Sequence, residues 1–95
     1  MKTIIKNKVK IGAYTVSTVE AKRIVKDGEE CWGTYDTGKD RISLNKSLNS
    51  SRKQEIWIHE VLHALSIDRG IELTEKQINR LSPAIYCFLK DNKYA

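Results

Sequence analysis

The 95-residue chain holds two histidines, and they stand four apart in His59-Glu60-Val61-Leu62-His63. On an α-helix that spacing puts both imidazoles on one face, one turn apart. Two ring nitrogens so arranged can bind one Zn2+ at about 2.0–2.1 Å. Glu60, next round the helix, lies beside such a metal rather than on it. There it can hold a zinc-bound water, take its proton and pass that proton on. The pattern points to His59 and His63 as metal ligands, zinc as the cofactor and Glu60 as a general base. The plainer reading is two satisfied interior histidines on the polar edge of a buried helix. Two buried imidazoles and a buried carboxylate are costly there without partners, and a metal removes that cost.

A hydrolytic zinc site takes a third protein ligand and leaves one position open for water. Cys31 and Cys87 are distant in the chain, and the carboxylates downstream of His63 are Asp68, Glu72 and Glu75. Asp68 would share the helix but sit about 140° from the histidine face at 3.6 residues per turn. Glu72 falls in the turn after Gly70. Glu75 opens a second helix, where a packed antiparallel neighbour can present it to the site. Glu75 is the preferred third ligand and Glu72 the alternative, although an acid at that position also suits the helix dipole by itself.

The elements that must carry these residues are legible in outline. Ser51-Arg52-Lys53-Gln54 fits a capping box, and Gly70 is a natural stop for a helix over about 52–69. Its Ile56, Trp57, Ile58, Val61, Leu62, Ala64, Leu65 and Ile67 surround most of the circumference, which predicts a central buried helix. Thr74-Glu75-Lys76-Gln77 is a second capping box. The helix it opens has Ile78, Leu81, Ile85, Phe88 and Leu89 on one stripe, and Pro83 should kink it by removing a bond to the Asn79 carbonyl. Upstream, Val9 and Ile11 alternate with Lys8 and Lys10, Gly12-Ala13 offers a two-residue turn, and Tyr14 to Val19 reads as the return strand. Residues 20–28 read as extended or as a short helix. Cys31-Trp32-Gly33-Thr34-Tyr35 and Arg41-Ile42-Ser43-Leu44 flank Asp36-Thr37-Gly38-Lys39 as a second hairpin. The expected architecture is α+β: a small antiparallel sheet, then two packed helices, in one domain over residues 1–95.

Composition narrows the classes further. Forty per cent hydrophobic and 31% charged residues suit a folded chain and exclude a disordered or collagen-like one. No apolar run approaches the ~18 residues of a membrane span. The first six residues carry no long apolar stretch, so no signal peptide is expected and the chain is read as cytoplasmic, with Cys31 and Cys87 as reduced buried thiols. The net charge of +5 is concentrated in residues 1–26, where Lys2, Lys6, Lys8, Lys10, Lys22, Arg23 and Lys26 face one acid, Glu20. A solvated strand face with alternating Lys explains this. Nucleic-acid binding is the alternative, unsupported by any aromatic or glycine-rich pattern there. Trp32, Trp57 and Tyr86 are read as packing residues.

The stretch Ile42-Ser43-Leu44, then Gln54 to Leu65 with its HExxH, then Glu75-Lys76-Gln77-Ile78-Asn79-Arg80-Leu81-Ser82, resembles the ImmA/IrrE group of zincin-like metallopeptidases. It looks most like their short phage-borne relatives. The second-helix pattern of that family is E-x-x-A-N-x-F-A-like; here Ile78 and Leu81 stand for its Ala and Phe. The resemblance implies a minimal zincin-like domain, with His59, His63 and Glu75 as ligands and Glu60 as catalytic base. It implies that the strand before the active helix, at Arg41, Ile42, Ser43 and Leu44, pairs with an extended substrate at a sheet edge. The expected function is zinc-dependent hydrolysis of a peptide bond in a protein or peptide substrate, such as a regulatory protein. The alternatives are a non-catalytic zinc-stabilised protein-binding module, marked by four-ligand closure through Glu72 and Glu75 together, and a small basic nucleic-acid-binding protein.

Overall fold

Strands fill the first half of the chain and helices the second, as the change in hydrophobic period predicts. The computed structural model describes residues 3–94. Met1, Lys2 and Ala95 lie outside the described residues, and with them the Lys2 charge of the basic segment. β1 (Lys8–Ile11) and β2 (Tyr14–Ala21) form an antiparallel hairpin over Gly12 and Ala13. The ambiguous segment is extended. β3 (Val25–Lys26) and β4 (Glu29–Glu30) make a separate two-stranded ribbon around Asp27 and Gly28, at φ 54° and 80°. Positive φ at both central residues is what a type I′ hairpin turn requires. β5 (Gly33–Asp36) and β6 (Arg41–Asn45) form the third hairpin. Cys31 and Trp32 precede β5 rather than belonging to it.

The main sheet is mixed, which corrects the expected antiparallel one. Its order is β1-β2-β6-β5, and β2 pairs with β6 in parallel, from Ser17↔Arg41 to Ala21↔Asn45. Short loops oblige β1/β2 and β5/β6 to be antiparallel. The longer connection through the β3–β4 ribbon and β5 brings β6 back in the direction of β2. The consequence for Arg41, Ile42, Ser43 and Leu44 is direct: β6 is bonded on both sides, so its backbone is not free to add a peptide. The edge strands of this sheet are β1 and β5.

One face of the sheet forms the core. Val16, Ile42 and Leu44 are almost wholly buried and Ile11 nearly so, while Lys8 and Lys10 point to solvent as their alternation predicts. Trp32 is 54% exposed rather than in the core. Two residues before Thr34, it extends the strand direction on the face opposite Tyr35, and its carbonyl accepts the Asn45 N–H at 2.8 Å.

Helix α1 (Ser50–Arg69) covers the core face of β5 and β6. It starts two residues before the expected point, because the Asn49 side chain, not Ser51, caps it by accepting the Arg52 N–H. Gly33 has no side chain where Ile56 of α1 lies; a Cβ there would press on it. Trp57 donates from Nε1 to Thr18 Oγ1 at 2.9 Å, tying α1 to β2. Gln54 is buried and fully used: its Oε1 accepts the Ile4 N–H and its Nε2 donates to the Ser50 carbonyl and hydroxyl. α1 is not buried all round. Leu65 and Ile67 are exposed, since sheet and second helix cover only part of its circumference.

Helix α2 (Glu75–Asp91) has the expected reciprocal Thr74/Gln77 capping box and continues through Pro83. It packs chiefly on α1 through Ile78 and Ser82, with Ile85, Tyr86 and Leu89 against the core. Leu81 and Phe88, expected on the buried stripe, are exposed; α2 has a single packing partner, and that partner takes a narrower stripe. Phe88 stacks on Tyr94, ring centroids 5.8 Å apart. Cys31 and Cys87 are unpaired, and Cys87 is exposed rather than buried. No helix is long and apolar enough to cross a membrane among the described residues.

Candidate metal centre

The third and fourth turns of α1 present His59 and His63 as neighbours, rings 5.0 Å apart between centroids and inclined at 63°. The i, i+4 spacing produces this without help from the rest of the fold. Glu75 reaches the pair from the other helix. Residues 70–74 reverse the chain, and the reversal is specified locally. The Gly70 N–H bonds the Ile67 carbonyl, the Ile71 N–H bonds the Ser66 carbonyl, and the Ser66 hydroxyl donates to the Ile71 carbonyl. That pair of backbone bonds is a Schellman ending, with Gly70 at φ 66°. Thr74 then caps α2, so Glu75 is its first residue. Ile78 and Ser82, one and two turns on, dock against α1.

The result is a convergent donor set. His63 Nε2 lies 2.6 Å from Glu75 Oε1, and His59 Nε2 lies 3.4 Å from Glu75 Oε2. One donor atom from each of the three residues falls within 4.8 Å of the others. Two imidazole nitrogens and a carboxylate oxygen are the donor types that zinc accepts, and separations of this order suit one ion bonded to all three at about 2 Å. Neither Asp68 nor Glu72 belongs to the group. Asp68 lies against the β1–β2 turn at Gly12, away from the histidines, as its helical angle requires. Glu72 lies in the reversal, where with His63 it lines an open depression.

Burial divides the site. Glu75 is largely exposed, the histidines are half-buried and Glu60 is only 7% exposed. Burial pushes the Glu60 carboxyl up to about 7; the Glu75 charge adds to the rise and Lys26 opposes it. Burial also lowers the His59 imidazole below its ordinary value, partly offset by Glu75, with His63 lowering it further. A carboxyl that titrates near neutrality beside a convergent donor set can take up and release a proton at little cost.

Two parts of the neighbourhood were not foreseen. Lys26, on the β3–β4 ribbon, is the cation acting on Glu60. The Asp27-Gly28 pair was the available signal for that ribbon. The second part is the edge strand β5: Thr34, Tyr35 and Asp36 line a cavity of about 390 Å³ with Val25, Lys26 and Ile67. Ile67 also borders the depression that holds His63. No protein-family model matches the chain, nor does any curated protein or solved structure.

Proposed function

We propose that the chain is a zinc-dependent peptidase of the zincin type, akin to the ImmA/IrrE group that its HExxH segment resembles, hydrolysing a peptide bond in a protein or peptide substrate. The observation that carries this reading is the convergence of His59 Nε2, His63 Nε2 and the Glu75 carboxylate next to one buried carboxyl, Glu60. A zinc ion held by those three residues would supply a Lewis acid and an acidified water. Glu60 is the general base: it takes the proton of the attacking water and delivers it to the departing amine. Without metal, burial raises its carboxyl to about 7; a bound cation would favour the ionised form that a base needs. Glu75 contributes one negative charge to the donor set, and its exposed position at the mouth leaves access to the site.

Among the described residues the donor group has three members rather than four. A tetrahedral ion would keep one position for water, which favours catalysis over a closed structural site. The substrate edge in this reading is β5, the edge strand beside α1, in place of β6. Its free N–H and C=O groups can accept an extended chain as an added strand.

Metal analysis of the purified protein tests the reading. About one zinc per chain is expected, with chelation lowering the melting temperature, because an ion bound only by the folded state stabilises it. Glu60→Gln should retain zinc and lose roughly 10²- to 10⁴-fold in cleavage of an unstructured polypeptide. A protein that binds no transition metal after reconstitution, or a Glu60→Gln variant that loses zinc as fully as His59→Ala, would sink it.

A further inference from the structure

Ile67, which borders the depression holding His63, also borders another cavity that the peptidase chemistry does not use. It measures about 240 Å³ and is lined by Tyr14, Tyr35, Ile11, Ile67, Asp40 and Asp68. These residues come from both hairpin turns at one end of the sheet and from the last turns of α1. The composition of the lining is selective. Ile11 and Ile67 are apolar, two tyrosines offer aromatic faces, and the only ionisable groups besides the phenols are two carboxylates.

The charge pattern is the informative part. The chain carries five more cations than anions, yet among the described residues neither Asp40 nor Asp68 has an ion-pair partner. Both carboxylates act on the Tyr35 hydroxyl, which burial first and then Asp40 and Asp68 raise above its ordinary value. Asp68 is held in place by the β1–β2 turn: Gly12 has φ 59°, and a Cβ there would overlap the Asp68 carboxylate. An apolar, aromatic-walled volume ending in two uncompensated carboxylates fits a long aliphatic stem with a cationic head.

We propose that this cavity is the subsite for a lysine or arginine side chain of an extended polypeptide lying along β5, so that the enzyme selects basic segments. The proposal rests on the peptidase reading for the arrival of a peptide. Asp68 is five residues beyond His63 on α1, about 7.5 Å along the axis.

The test uses the purified Glu60→Gln protein, which binds without cleaving, and capped extended peptides carrying one arginine or, at the same place, citrulline, its neutral isostere. Titration calorimetry should give about tenfold or more tighter binding for arginine, and NMR shifts should appear at Tyr35, Asp40 and Asp68. The variant Asp40→Asn/Asp68→Asn should erase the preference while zinc content stays unchanged; asparagine also tolerates the positive φ of 48° at residue 40. Equal affinity for the two peptides, or arginine-dependent shifts confined to another surface, overturns the proposal without the Asp40→Asn/Asp68→Asn variant having to fold. Zinc content and cleavage are read separately. An active zinc enzyme indifferent to the arginine-to-citrulline exchange loses this proposal alone; a zinc-free, inactive protein that still prefers arginine at the cavity loses the peptidase reading alone.

Discussion

The donor set at His59, His63 and Glu75 and the cavity at Tyr14, Tyr35, Asp40 and Asp68 sit along the same helix, and they treat negative charge in opposite ways. At the first, one exposed carboxylate is drawn between two imidazoles until its oxygens lie 2.6 and 3.4 Å from nitrogen. At the second, two carboxylates line an apolar volume and, among the described residues, neither has an ion-pair partner. Convergent donors suit a small ion with short bonds. Dispersed acids with apolar and aromatic walls suit a large, weakly hydrated organic cation. On the proposed readings the same residue type would serve two ligands, and the difference lies in what the backbone lets each carboxylate reach.

The largest effect that would sharpen this contrast comes from exchanging the ligands. His63→Ala should drop zinc from about one equivalent to about none, since a structural or catalytic ion depends on its full donor set. Asp68→Asn, five residues along, should leave the equivalent intact. Inductively coupled plasma analysis of both proteins decides it; zinc loss in Asp68→Asn would mean that the two regions are one site.

Next in size, Glu75→Ala should weaken zinc binding about a hundredfold or more, against a few-fold change for Glu72→Ala, as measured by chelator competition. Matching losses would mean that the acid in the reversal and the first residue of α2 close the set together.

The smallest expected effect concerns proton linkage in the metal-free protein. Glu60 has a folded pKa of about 7 against an ordinary 4.5. The folded state therefore binds the extra proton between those values. Stability present below about pH 4.5 should be lost as pH rises through 7, by up to about 3 kcal/mol at 1.36 kcal/mol per unit. Glu60→Gln should lack this loss in urea titrations at pH 5 and 8. Zinc should reduce it in the native sequence, because a nearby cation favours the ionised carboxylate. A metal-free native protein equally stable at both pH values would show that Glu60 is not held in a desolvated place.

How much of this was legible follows from how local each determinant is. The pairing of His59 with His63 is a property of helical spacing alone. The arrival of Glu75 needs only a cap at Thr74, a stop at Gly70 and an apolar residue at Ile78, all within one short stretch. The start of α1 was misplaced because Asn49 and Ser51 can both cap, and only the bond that forms, from the Arg52 N–H to Asn49 Oδ1, separates them. The parallel seam between β2 and β6 has no local signature: hairpin turns specify antiparallel neighbours and are silent about strands that meet after a long detour. The same blindness put Arg41, Ile42, Ser43 and Leu44 at an edge they do not occupy, and put Trp32 in the core although strand alternation carries it to the other face. The Asp27-Gly28 turn was there to be read. The Asp40/Asp68 cavity was not, since its lining comes from strand ends and loops far apart in the chain.

The hydrogen bond from the Ile4 N–H to Gln54 Oε1 has a dynamic corollary. Residues 3–5 belong to no helix or strand, and amides in such segments ordinarily exchange with solvent deuterium almost freely. Ile4 is instead buried and bound to the second turn of the helix that carries His59. Its exchange must wait for the segment to lift away from Gln54, so one amide in an irregular segment becomes a clock for the docking of the N-terminal segment on the helix that carries His59.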